Sequence, residues 1–144
     1  IVAAFDVIEH VEDDIASLES LGRQLSPGGR LVMTVPAMPW MWSHHDTSHH
    51  HYRRYTRSRL EDVLLRAGLK PVTTTYFNTL LFPAIVAMRF GKRALGYGET
   101  RDDAMPSPYL NSILKNIFKL EEHIVGRVNL PVGVSLLAVA ERRP

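Results

Sequence analysis

Five apolar residues without polar alternation, Ile1-Val2-Ala3-Ala4-Phe5, open the chain and stop at Asp6. Such a run predicts a strand buried on both faces, as in a parallel sheet. The neighbouring residues agree with that reading. Glu9, Glu12, Asp13 and Asp14 lie just beyond the run, where a helix N-terminus favours negative charge. Ile15, Leu18, Leu21, Gly22 and Leu25 then form an apolar stripe at helical spacing. Ser26-Pro27-Gly28-Gly29 stops the helix in a turn, and Leu31-Val32-Met33-Thr34-Val35 is a second strand closed by Pro36. Strand, helix, Pro-Gly-Gly turn and strand make half of a doubly wound α/β sheet.

The remaining segments extend this pattern. Residues 37–55 read as a long loop holding Trp40, Trp42 and the histidines His44, His45, His49, His50 and His51. Ser58 and Glu61 have capping-box spacing, and Leu60, Val63, Leu64 and Ala67 are the buried stripe of the helix they open. Gly68 stops it, and Leu69–Phe77 reads as a third strand. Residues 80–95 predict a helix with Pro83 in its first turns, residues 96–108 a polar linker, and residues 110–125 a long amphipathic helix. Residues 132–140 are the final strand. At 144 residues this is one domain, 1–144, with a helical insertion over 79–130.

Composition narrows the function. A net charge of +2, without an aromatic stacking motif, argues against nucleic acid as partner. Without cysteine there is no disulfide scaffold, thiolate zinc site or Cys nucleophile, which is compatible with a cytoplasmic location. No apolar run approaches the ~20 residues of a membrane span. No P-loop, Ser nucleophile elbow or zinc-hydrolase motif is present.

Three segments stand in one order: Phe5-Asp6-Val7-Ile8-Glu9-His10-Val11-Glu12-Asp13, then Leu25-Ser26-Pro27-Gly28-Gly29-Arg30-Leu31, then Val35-Pro36. This order resembles the C-terminal portion of a class I S-adenosylmethionine-dependent methyltransferase, a partial Rossmann-like doubly wound sheet. The segments Trp42-Ser43-His44-His45-Asp46 and His51-Tyr52-Arg53-Arg54-Tyr55-Thr56 resemble one subgroup, "W-x-x-H-D…H-x-R-R-Y-T". The resemblance covers about the first 80 residues. The family's Gly-rich cofactor loop and the acidic residue that holds the cofactor ribose are absent here. Ile1, not Met, leads the chain, which is therefore expected to start inside a longer protein or to have been processed.

The resemblance implies S-adenosyl-L-methionine as cofactor, with Phe5, Asp6, Val7 and His10 at its pocket. His10 is a pocket wall or a general base, the first being favoured; His51 is the second catalytic candidate. Trp42, His45, Asp46, His51, Arg53 and Arg54 are the expected substrate lining, since loops at strand ends carry specificity. Arg53 or Arg54 offers a planar fork for an anionic group, and at least one of them is expected to tie down the loop instead. No metal site is assigned: the loop histidines lie in adjacent runs without ligand spacing. The expected acceptor is a small or lipid-like molecule. The basic-ended helix over 80–95 either packs on the domain, the favoured reading, or makes a peripheral membrane contact. Two other readings stay open: a non-catalytic α/β remnant acting in protein association through the helix over 110–125, and a His-loop metal-binding protein.

Overall fold

The computed structural model describes residues 1–94 and 107–143. The linker expected over 96–108 falls almost wholly outside them, as do the side chains of Lys92 and Arg93. Strand β1 (Val2–Phe5) runs parallel to β2 (Arg30–Pro36), with Val2 opposite Leu31 and Phe5 opposite Thr34. Strand β3 (Leu69–Phe77) and strand β4 (Ser135–Arg142) complete a four-stranded sheet of order β1-β2-β4-β3. β4 lies antiparallel to both of its neighbours, so its first residues meet the last residues of β2: Ser135 is opposite Pro36.

Helix α1 (Asp14–Arg23) and, after the short α2 (His44–Ser48), helix α3 (Arg57–Arg66) pack with the sheet around one core. Leu31, Met33 and Val35 of β2 alternate inward with Leu136, Ala138 and Ala140 of β4, meeting Leu18, Leu60 and Leu64 from the helices. At roughly 25 cal/mol per Å² of apolar surface removed from water, this cluster is the main source of stability. Helices α4 (Phe82–Ala94) and α5 (Pro108–Glu122) stand between β3 and β4 in the chain. Among the described residues, no helix is long and apolar enough to cross a membrane.

Several local expectations are corrected. β1 is not buried on both faces: Ala4 is buried, but Phe5 is 58% exposed, because β1 is the sheet's edge and, among the described residues, nothing pairs beyond it. Ile8–His10 forms a 3-10 turn before α1 starts, and Asp13 caps α1 by accepting from the Ala16 amide at 2.9 Å. The cap of α3 is Thr56, accepting from the Arg59 amide at 3.2 Å, so Ser58 lies inside the first turn and is no cap. The final strand starts three residues later than expected, at Ser135.

Candidate functional site

The loop over 37–55 is an organised strap. Pro39–Met41 is a 3-10 turn, and Ser43 with Asp46 forms a capping box that opens α2. The strap closes on itself where the Met38 amide donates to the Tyr55 carbonyl (3.0 Å) and the Tyr55 amide to the Pro36 carbonyl (2.9 Å). The Tyr52 amide donates to the Glu9 carbonyl at 2.7 Å, which lays His51 against the turn after β1.

A buried ion pair organises this strap. Asp46 is fully buried; its Oδ1 accepts from Arg54 Nε (2.7 Å) and faces His51 Nδ1 (3.0 Å), and its Oδ2 accepts from the Ser43 amide (2.9 Å). Burial alone would raise its carboxyl, but the Arg54 guanidinium and these bonds hold it below the usual range. Arg54 also donates to the Ala37 carbonyl at 3.0 Å. Arg53 turns the other way, pairing with Asp14 at 2.7 Å and donating to the Glu12 carbonyl. Asp14 further accepts from the Tyr55 hydroxyl at 2.9 Å. One arginine therefore pins the strap to α1, while the other ties the strap together from within.

Between strap and sheet edge lies a cleft of about 370 Å³, lined by Asp6, Glu9, His10, Pro36, His45, His49, His51, Arg54, Arg89, Val134 and Ser135. It opens where β1 and β2 end and β4 begins, the edge where α/β sheets hold their ligands. Asp6 adopts a left-handed backbone (φ +50°), with its amide bonded to the Thr34 carbonyl at 3.1 Å and its Oδ1 accepting from Thr34 Oγ1 at 3.2 Å. Glu9 is 1% exposed, and neither carboxylate oxygen makes a hydrogen bond among the described residues. Desolvation pushes its carboxyl up to about 7, with the charges of Asp6 and Asp46 adding to it and Arg54 opposing. His10 and His51 meet edge-on, ring centroids 4.6 Å apart.

Of the residues anticipated from sequence, the cleft gathers Asp6, His10, His45, His51 and Arg54. Phe5 and Val7 flank its Asp6 corner with exposed side chains and do not line it. Two residues expected as substrate lining are not among the cleft's lining residues: Asp46 is fully buried as the partner of Arg54 and His51, and Arg53 pairs with Asp14 and the Glu12 carbonyl. Trp42 also stays outside the lining. The sequence pattern did not mark Glu9, Pro36, His49, Arg89, Val134 or Ser135 as lining residues. Glu9 was within reach, as an acid directly before His10 in the stretch after β1. Arg89 carries no local signal; it enters by donating to the Met41 carbonyl from α4.

Glu9 makes a pH prediction. Its folded pKa lies above its unfolded value, so the unfolded chain releases the proton first and stability falls as pH rises from 4.5 to about 7, then levels. In metal-free protein the expected loss over that window is about 2–3 kcal/mol. Urea unfolding near pH 5 and near pH 8 should show it in the wild type and not in Glu9→Gln; equal slopes for both would refute it.

Residues 1–74 match the family described as a methyltransferase domain. A search of curated proteins returned no match. Among solved structures, a chain from the complex between the Haloferax volcanii Trm112 methyltransferase activator and a protein designated a methyltransferase is 17% identical, with a TM-score of 0.51 over 99% of this chain and 53% of that one. The Haemonchus contortus phosphoethanolamine N-methyltransferase 2, solved with S-adenosyl-L-methionine, is 15% identical, with a TM-score of 0.54 over 99% of this chain and 33% of that one. At these identities the likeness is one of fold. The chain spans about half and about a third of the lengths of these two proteins.

Proposed function

Because this chain belongs to the methyltransferase domain family and carries its Rossmann-like α/β fold, we propose that it forms the acceptor side of an S-adenosylmethionine-dependent methyltransferase. The observation that carries the reading is the cleft at the common edge of β1, β2 and β4, with Asp6 at one corner and a histidine-bearing strap above it. The residues present suit the cofactor in charge and polarity. Asp6 offers a carboxylate to a cationic ligand, and the exposed Phe5 and Val7 beside it offer apolar surface. When bound, the cofactor supplies an electrophilic methyl group on a sulfonium. The protein then has to align the acceptor and take a proton where one must leave. Asp46 fixes the His51 ring by its Nδ1, so Nε2 is the nitrogen left to accept a proton from an acceptor in the cleft. His10 stands across from it as wall or second base.

The acceptor is read as small or lipid-like. Support comes from the apolar surface next to the strap, where Trp40 packs on Phe82 and Phe90 at 6.2 Å each. Leu80, Met88 and Phe90 are about half exposed, which suits either a lipid-like acceptor or a peripheral membrane contact in a cytoplasmic enzyme. The unpaired side of β1 is where the rest of a longer sheet would add, with the Gly-rich loop that this chain lacks.

The test is methyl transfer from labelled S-adenosylmethionine to a metabolite and lipid panel, by protein expressed with all of its flanking coding sequence. Asp6→Asn and His51→Ala are each expected to lower turnover about 100-fold. Wild-type rates in both variants would remove these residues from the site.

A further inference from the structure

We infer that Glu9, His10 and His51 form a binding site for a divalent transition-metal ion, with one carboxylate and two imidazole ligands. One ligand atom from each of the three lies within 4.8 Å of the others. Small side-chain rotations close that spacing around an ion ~2.1 Å from each donor. Three independent features make this a built site and not a chance cluster.

The first is Glu9 itself. A carboxylate removed from water almost completely, with neither oxygen bonded among the described residues, is a costly arrangement in a folded chain. An ion at this position supplies the missing partner. The second is the orientation of His51. Its Nδ1 is engaged by Asp46, itself gripped by Arg54 and the Ser43 amide. This carboxylate–histidine pairing leaves the Nε2 lone pair for a metal and resists rotation of the ring. The third is the backbone. The Tyr52 amide to Glu9 carbonyl bond fastens the strap to the turn that carries Glu9 and His10, so the three donors come from two segments locked together.

The surrounding charge supports a cation. Asp6, Glu9 and Asp46 supply three carboxylates, against the guanidiniums of Arg54 and Arg89 at the cleft. The charge of Arg54 is offset by its pair with Asp46. The donor set, two imidazoles and a carboxylate, suits zinc, manganese, iron or cobalt better than magnesium or calcium. His10 is exposed, so the ion keeps open positions facing the cleft. In the proposed methyl transfer with the ion bound, an acceptor oxygen would take one of these positions; His51 Nε2 would then serve as a ligand instead of as the base, and the acceptor's proton would pass to solvent water at the open side of the cleft. That role rests on the methyltransferase reading; ion binding does not.

The experiment is calorimetric titration of chelator-stripped, untagged protein with Zn²⁺, Mn²⁺ or Co²⁺ alone, with no cofactor or acceptor, and the visible spectrum of the Co²⁺ form. The expected result is one equivalent bound, with Co²⁺ bands of nitrogen and oxygen ligation. Glu9→Gln and His51→Ala should each weaken binding about 100-fold. Glu9→Gln removes a buried charge and keeps the side-chain shape, so it is expected to fold even if His51→Ala does not. The competing site is the His45 and His49 pair, whose rings lie 4.1 Å apart. Binding unchanged in His45→Ala/His49→Ala supports the assignment. Loss of binding in that variant, full binding in Glu9→Gln, or no saturable binding of any of the three ions would overturn it. Because no methyl donor is present, failure here is separate from failure of the methyl-transfer assay.

Discussion

Asp46→Ala is expected to destabilise the protein by about 3–5 kcal/mol, because it leaves Arg54 charged, buried and without its partner. For a chain of this size that corresponds to a fall of roughly 10–20 °C in the thermal midpoint. The effect reaches beyond one pair. Ser43 loses its cap acceptor, so the first turn of α2 frays, and His51 loses the oxygen that sets its ring. The double variant Asp46→Leu/Arg54→Met should recover much of the stability, since apolar side chains of similar size satisfy each other where a lone charge cannot. It should not recover the His51 orientation. Thermal unfolding of the single and double variants checks the first half, and the ring tautomer of His51, read by nitrogen NMR, checks the second. A single variant within about 1 kcal/mol of wild type would mean that the pair is not holding the strap.

The second large effect is at Gly133. A Cβ at this position would lie 2.2 Å from the Phe77 carbonyl oxygen and 3.0 Å from its carbon and nitrogen. Backbone atoms cannot swing aside as a side chain can, so Gly133→Ala must push the start of β4 away from the end of β3. About 3 kcal/mol is expected, at the upper end for overpacking. The displacement is directed at the cleft. Val134 comes immediately after and accepts the Ala37 amide at 2.8 Å, and Val134 with Ser135 lines the cleft wall. Thermal unfolding and exchange of the Ala37 amide report the two consequences. Gly91→Ala is the control: nothing lies within 4 Å of its added Cβ, and in a helix Ala is favoured over Gly by roughly 0.5–1 kcal/mol.

Much of the sheet was legible because its signals are local. Leu69–Phe77 is rich in Val, Thr and aromatics between Gly68 and Asn78, and it is a strand over those residues. The Ser26-Pro27-Gly28-Gly29 turn separates α1 from β2 as read. What local pattern does not encode is who neighbours whom. That β4 inserts antiparallel between β2 and β3 comes from tertiary packing, and this insertion brings Val134 and Ser135 to the cleft. The inside of the strap is not written in local pattern either. Charge in a loop argues for a surface, and Asp46 looked like polar lining; only its fold shows that Arg54 neutralises it inside. The position of Glu9 after β1 is legible in the sequence, but its burial is not, since an acid without a partner is expected to face water.

Among the described residues nothing pairs with the outer flank of Val2–Phe5, and this carries one more consequence. Its outward amides and carbonyls are a template for any extended peptide that meets them, and Ile1 and Phe5 add an adhesive apolar border. At high concentration, copies of these 144 residues taken alone are therefore expected to stack flank to flank, whereas protein whose sheet continues past β1 is not. Ala3→Lys, at an exposed position of that strand, should raise the concentration at which such stacking begins, as light scattering would register.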